Sequence, residues 1–203
     1  MRKPKLRELK EAIRAVVLGP YTTRFPAEPS PAAEAYRGEG QFDEKECVGC
    51  GACVEVCPAD AIEMVDHVRR YPPVRSIVRH HDECIFCGQC EVQCTTEKGV
   101  HLTSEYELSC LDRKQCVVSI DKELMLCEMC GEVITTKDHL RWIARKVGAK
   151  RYANPTLLLT SEAEFSVVDG GAKTSENPTG RSDIMRVLCP SCRREVVIEE
   201  IWG

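Results

Sequence analysis

Residues 46–64 read ECVGCGACVEVCPADAIEM, and residues 83–94 read ECIFCGQCEVQC. Cys47, Cys50, Cys53 and Cys57 recur as Cys84, Cys87, Cys90 and Cys94, each displaced by 37 residues. Four coincident offsets mark a duplicated unit rather than scattered thiols. In each unit three cysteines with two residues between neighbours wrap a tight loop. Gly49, Gly51 and Ala52 are small enough for backbone N–H groups to approach whatever the sulfurs hold. The fourth cysteine already sits on the following helical turn and faces elsewhere.

The spacing C-x2-C-x2-C-x3-C-P is the one by which bacterial-type ferredoxins grip a [4Fe–4S] cube, and in a two-cluster fold the fourth cysteine ligates the other cube. Crossed ligation is therefore expected. Cluster one takes Cys47, Cys50, Cys53 and Cys94; cluster two takes Cys84, Cys87, Cys90 and Cys57. The competing readings are eight thiols on zinc, or one cluster lost with its loop kept. Zinc needs only four ligands per ion and does not favour a triple C-x2-C-x2-C run. The second unit departs from the pattern in two ways. Cys94 is followed by Thr95 instead of proline, which alters how the chain leaves the short helix more than it alters ligation. Val100 lies six residues beyond its cysteine where Ile62 lies five beyond Cys57, so one extra residue must be absorbed.

Composition sets the frame for these loops. Aromatic residues make up 5% of 203 residues while cysteines number 14, so metal–thiolate bonds are expected to replace some apolar burial. The N-terminus has no continuous apolar core of a signal peptide, and no window approaches the roughly 20 apolar residues of a membrane span. Clustered cysteines are then expected in a reducing cytosol, where they bind metal or do redox work. Net charge is −4, but residues 1–40 carry +3 and the remainder −7. An acidic body excludes nucleic acid as the expected partner and favours a cationic protein surface.

Ahead of the cysteines, Leu6, Leu9, Ile13, Val16 and Val17 recur on one helical face, with Arg2, Lys3, Lys5, Arg7 and Lys10 supplying charge and Gly19-Pro20 the stop. A basic amphipathic helix docks on a partner, lies on a membrane surface, or packs on its own domain. Pro20, Pro26, Pro29 and Pro31 make residues 20–40 an extended arm. Residues 1–40 thus form a helix and docking arm, residues 41–107 a two-cluster domain, and residues 108–203 a different unit.

That last unit has its own cysteine pattern. LMLCEMCGEVI (124–134) and MRVLCPSCRREVVIEE (185–200) each read as strand, C-x-x-C knuckle and second apolar run. Cys127, Cys130, Cys189 and Cys192 then suit one tetrahedral structural zinc, with 58 residues between the knuckles as an insertion. A metal-free knuckle pair is a second reading. A redox dithiol at CPSC is a third; it wants a helix after the motif, whereas REVVIEE reads as a strand. Between the knuckles, Thr136 is expected to cap a helix carrying Leu140, Ile143 and Val147 and ending at Gly148, and residues 169–182 form a polar loop. Cys110 and Cys116 fall outside both sets and read as small buried apolar residues. His80 and His81 read as surface residues, with hydrogen bonding to a cluster as the alternative. No phosphate loop, nucleophile elbow or paired-carboxylate site stands out.

The chain resembles the two-cluster ferredoxin-like subunit shared by respiratory complex I and energy-converting group 4 hydrogenases. VLGPYTTRFPAEP (17–29), YRG (36–38), both cluster motifs and LTSEYELS (102–109) carry the likeness. The late CEMC and CPSC pair makes it most similar to formate hydrogenlyase-type members. The resemblance implies an α+β protein: a bacterial-type two-cluster ferredoxin fold with an N-terminal amphipathic helix and arm, plus a C-terminal zinc-ribbon-like unit. It implies a non-catalytic subunit passing single electrons from a donor to the small cluster-bearing subunit, peripheral on the cytoplasmic face above a membrane arm. The alternatives are a complex I-type subunit feeding quinone reduction and a free ferredoxin-like carrier. The eight cysteines of residues 47–94 match the family's ligands one by one; the Thr95 departure bears on the cluster beside it.

Overall fold

A computed structural model describes residues 6–19, 22–164 and 186–202. Arg2, Lys3, Lys5, Pro20 and the polar segment 169–182 lie outside the described residues. The chain divides into two units, residues 1–36 and 37–203.

In the first unit, helix α1 (Leu6–Leu18) forms as its apolar spacing predicts, and none of its side chains is buried. Gly19 follows it at φ +83° and its N–H returns to the Ala15 carbonyl, an αL stop that a residue without Cβ adopts freely. Residues 22–36 contain no helix or strand.

The second unit is built on two sheets. The short strands β1 (Gly40–Phe42) and β4 (Val100–Leu102) pair antiparallel, Phe42 opposite Val100. A four-stranded antiparallel sheet runs in the order β2 (Ile62–His67), β3 (Val74–His80), β5 (Val117–Leu126), β6 (Val133–Thr136). Strand β3 is covered along nearly its whole length, as a central strand must be. Strand β5 alternates, burying Ile120, Lys122 and Leu124 while Ser119, Asp121 and Glu123 face out. The cysteine-rich part and the segment after residue 107 therefore share one sheet, through the β3–β5 pairing from Val74↔Glu123 to His80↔Val117.

The sequence repeat is visible in the backbone. One-turn helices α2 (Ala52–Glu55) and α3 (Gln89–Val92) each begin after a left-handed glycine, Gly51 at φ +83° and Gly88 at φ +79°. Gly49 at φ +66° matches Phe86 at φ +53°, and Asp60 matches Glu97, the same positive-φ position three residues after each fourth cysteine. The extra residue ahead of Val100 falls after Glu97, in the turn into β4, so both strands still start on their apolar residue. A core of Cys47, Cys53, Ile62, Ile77, Cys90, Val100 and Ile120 joins the two halves.

After β6, helix α4 (Lys137–Val147) starts at Thr136, whose hydroxyl accepts from the His139 N–H at 3.2 Å, and ends at Gly148. It buries Leu140 and Ala144 against Leu157 of α5 (Pro155–Glu164). The expected strands around CPSC are not formed. Residues 186–189 are neither helix nor strand, and REVVIEE lies in α6 (Pro190–Trp202). Pro190 pre-sets the first helical turn, and Cys192 and Val196, four apart, are both buried on one face. That burial overrides the β-preference of the VVI run.

Candidate metal centres

Two recesses flank the repeat's core. One is lined by Cys47, Cys50 and Cys53 from the first loop and by Cys94 from the second repeat. The other is lined by Cys84, Cys87 and Cys90 together with Cys57 from the first. Apart from sulfur, the first presents Val48, Gly51, Ala52, Ile77, Val100 and two threonines. In the second, Arg79 is the charged residue, among Ala59, Ile62, Ile85, Phe86, Gln89 and Leu102.

The thiols feel this burial. Desolvation pushes Cys53 up to about 12, with the sulfurs of Cys47 and Cys50 adding to the effect. Burial likewise raises Cys47 and Cys90, although the Arg79 guanidinium opposes it at Cys90. At Cys94 burial also acts upward, but the Thr96 hydroxyl and the backbone N–H groups of Thr96, Gly99 and Val100 outweigh it, and the thiol lies below its ordinary value. A bound cation would offset the desolvation of these thiolates, and thiolate is the ligand that iron–sulfur clusters take. The donor set fits a [4Fe–4S] cube in each recess.

Several polar groups around the recesses escaped the reading of the sequence. Thr95 Oγ1 lies 3.2 Å from Cys50 Sγ and Thr96 Oγ1 3.4 Å from Cys94 Sγ, so the residue that replaced proline touches a ligand sulfur. Arg79 is fully buried, donates from Nη2 to Cys90 Sγ at 2.8 Å, and lies 5.5 Å over the Phe42 ring. Loop 44–49 is held from the sheet. Arg75 Nη1 donates to the Gly49 carbonyl at 3.1 Å while pairing with Asp66 at 2.7 and 2.9 Å. Lys122 Nζ donates to the Glu44 carbonyl and to Asp138, and the Thr136 hydroxyl donates to the Val48 carbonyl. A charged residue inside an apolar strand, as in SIVRHH, was the available signal.

The histidines divide. His81 is buried, bonded to the Gly40 carbonyl at 3.1 Å, against its expected surface position; His80 is half-buried and faces Glu63. Cys110 and Cys116 are neither solitary nor buried: they form a disulfide across six residues.

The third cluster unites Cys127, Cys130, Cys189 and Cys192, whose sulfurs all lie within 4.8 Å of one another. Cys130 is exposed and the other three are buried. Paired bonds hold the knuckles together: Glu128 N–H donates to the Val187 carbonyl and Val187 N–H to the Glu128 carboxylate, each at 3.0 Å. Cys189 N–H donates to Cys127 Sγ at 3.3 Å. Burial acts to raise Cys127, but the amides of Cys130, Cys189 and Met129 and the Cys130 thiol bring it down to about 6. Cys192 is pushed up by the neighbouring sulfurs of Cys189 and Cys130, a repulsion that a cation among the four sulfurs would offset. CPSC does open a helix, the setting a redox pair needs, yet two further sulfurs close around it.

Comparison with known proteins agrees with this donor chemistry. The family model of the 4Fe-4S dicluster domain matches residues 46–98. The NAD(P)H-quinone oxidoreductase subunit I of Gloeobacter violaceus is 34% identical over 100 residues, covering 47% of this chain and 47% of that protein. The F(420)H(2) dehydrogenase subunit I of Methanosarcina mazei is 35% identical over 60 residues (30% and 34%). Formate hydrogenlyase subunit 6 of Escherichia coli is 33% identical over 49 residues (24% and 27%). The chain spans less than half the length of each of these curated relatives. Residues 46–98 thus match the 4Fe-4S dicluster domain, in a chain similar over part of its length to subunit I of these dehydrogenases and to subunit 6 of formate hydrogenlyase.

Proposed function

We propose that this chain is the electron-relay subunit of a membrane-bound respiratory or hydrogenase-type complex, carrying two [4Fe–4S] clusters and one structural zinc. Cys47, Cys50, Cys53 and Cys94 hold one cube, Cys84, Cys87, Cys90 and Cys57 the other, and Cys127, Cys130, Cys189 and Cys192 the zinc. Each cube, when bound, takes up and gives back a single electron with little change of shape. The protein's own part is to hold the sulfurs, keep water out and fix the nearby charge. Crossed lining of the two recesses is the observation that carries this reading: each draws three cysteines from one loop and the fourth from the other repeat. Both abut one apolar core, to which Cys47 and Cys53 of one and Cys90 of the other belong.

Helix α1 and the arm are assigned to docking against the other subunits, on the cytoplasmic face of the membrane. No helix among the described residues is long and apolar enough to cross it. A small cluster-bearing subunit is the expected recipient of the electrons. The test is to purify the assembly anaerobically through a tag on this chain. About eight irons and one zinc per chain, with a nickel-binding large subunit among the companions, support the hydrogenase-type reading. Quinone-dependent activity without nickel assigns the chain to a complex I-type assembly instead, and zinc in place of iron overturns the relay.

A further inference from the structure

Arg79 has no exposed surface, and among the described residues no carboxylate pairs with it. Its Nε and Nη1 have no hydrogen-bond partner in the protein, while Nη2 donates to Cys90 Sγ at 2.8 Å. A buried cation with unused donors costs several kcal/mol unless negative charge lies beside it. The recess that Arg79 lines with Cys57, Cys84, Cys87 and Cys90 is where that charge belongs. The fold makes room on purpose: a Cβ on Gly40 would lie 1.2 Å from Arg79 Nη1.

The other recess differs. Phe42 stands 37 residues before Arg79, at the equivalent place in the first repeat, and is apolar. The two cations near that loop, Arg75 and Lys122, are paired to Asp66 and Asp138 and direct their remaining bonds to backbone carbonyls of Gly49 and Glu44. Threonine hydroxyls are what its sulfurs meet.

Resting on the reading of the two recesses as [4Fe–4S] sites, we propose that Arg79 sets the potential of the cluster held by Cys57, Cys84, Cys87 and Cys90 above that of its twin. Reduction adds one electron and one negative charge to a cube and breaks no bond. An unpaired guanidinium that donates to a ligand sulfur stabilises the reduced form more than the oxidised one. This recess then holds the electron at equilibrium, and the Cys47, Cys50, Cys53 and Cys94 recess is the higher-energy station.

The experiment is an anaerobic redox titration of the full chain, read by electron paramagnetic resonance, with iron counted first. A Cys87→Ser variant, whose altered ligand changes one cluster's spectrum, assigns the signals. The wild-type chain should reduce in two separate waves. Arg79→Gln and Gly40→Ala should each move the wave assigned by Cys87→Ser to more negative potential and move the other wave by much less, because the Arg79 charge reaches Cys53 only at longer range while it donates directly to Cys90. Arg79→Lys should move the assigned wave less. Waves that coincide in the wild type, a move of the other wave as large as or larger than that of the assigned one, or no move with both clusters loaded would overturn the role of Arg79 while leaving the relay intact. Where the glutamine variant fails to load iron, the lysine and Gly40 variants decide, an unmoved wave in both counting against the proposal. A wild-type chain that binds zinc in place of iron defeats the underlying reading itself.

Discussion

Thr136 joins two parts of the molecule through one hydroxyl. It is fully buried, accepts from His139 N–H to cap α4, and donates to the carbonyl of Val48 inside the first cysteine loop. In Thr136→Ala the cap is lost, at about 1 kcal/mol. The Val48 carbonyl is also left without its donor, at about 1–3 kcal/mol for a buried group. The expected total is about 2–4 kcal/mol, whereas Thr136→Ser keeps the hydroxyl and should cost about 1 kcal/mol for the missing methyl. Native-state hydrogen exchange on the metal-loaded chain reads this locally. Amides in the first turns of α4 should exchange roughly 30- to 1000-fold faster in the alanine variant and only a few-fold faster in the serine variant. Iron release to a chelator should quicken alongside, because Val48 sits between two ligand cysteines. Equal exchange in the alanine and serine variants would refute the reasoning, since the hydroxyl would then be carrying neither bond.

Thr95→Val removes the hydroxyl 3.2 Å from Cys50 Sγ; losing about 1 kcal/mol of preference for the reduced cluster should lower the potential of the Cys47, Cys50, Cys53 and Cys94 cluster by about 40 mV in a redox titration. Cys57→Ala should cost the iron held by Cys84, Cys87 and Cys90 while the cluster around Cys47 keeps its spectrum, and loss of the Cys47 cluster instead would end the crossed assignment. Cys130→Ser should abolish zinc binding, measured by elemental analysis, and leave the iron count unchanged. His139 is held below its ordinary pKa, first by burial and then by Arg75; the unfolded chain therefore binds a proton that the folded chain refuses, and stability should fall as pH drops through about 6.5. His139→Gln should flatten that slope in denaturant midpoints.

The cysteine spacing was enough to read the duplicated loops, and a 37-residue offset survives even in the φ angles of Gly49, Phe86, Gly51 and Gly88. Thr136, Gly148 and the apolar face between them were equally legible, because caps and helical periodicity are local. REVVIEE misled because its β-branched run carries a strand's propensity, while the buried Cys192–Val196 face that decides the matter depends on a partner knuckle 58 residues away. Arg79, Lys122 and the second bond of Thr136, to the Val48 carbonyl, were missed for the same reason. Each is an ordinary residue in a strand until the sheet order β3-β5-β6 brings it to the loops.

That sheet order gives the proposed structural zinc a place in the proposed relay. Cys127 directly follows β5 and Cys130 precedes β6, so the knuckle is the connection between these strands. Their pairing brings Leu124 opposite Thr136, and the buried side chains of Lys122 and Thr136 reach the carbonyls of Glu44 and Val48. With Arg75 on Gly49, three side chains from the sheet fix three backbone carbonyls of one loop. Three such bonds hold the loop's backbone dipoles in place, which would limit their reorganisation when charge arrives at a bound cluster. A metal closing the β5–β6 connection through Cys127, Cys130, Cys189 and Cys192 would therefore brace the first cysteine loop from outside, without adding a ligand to either recess.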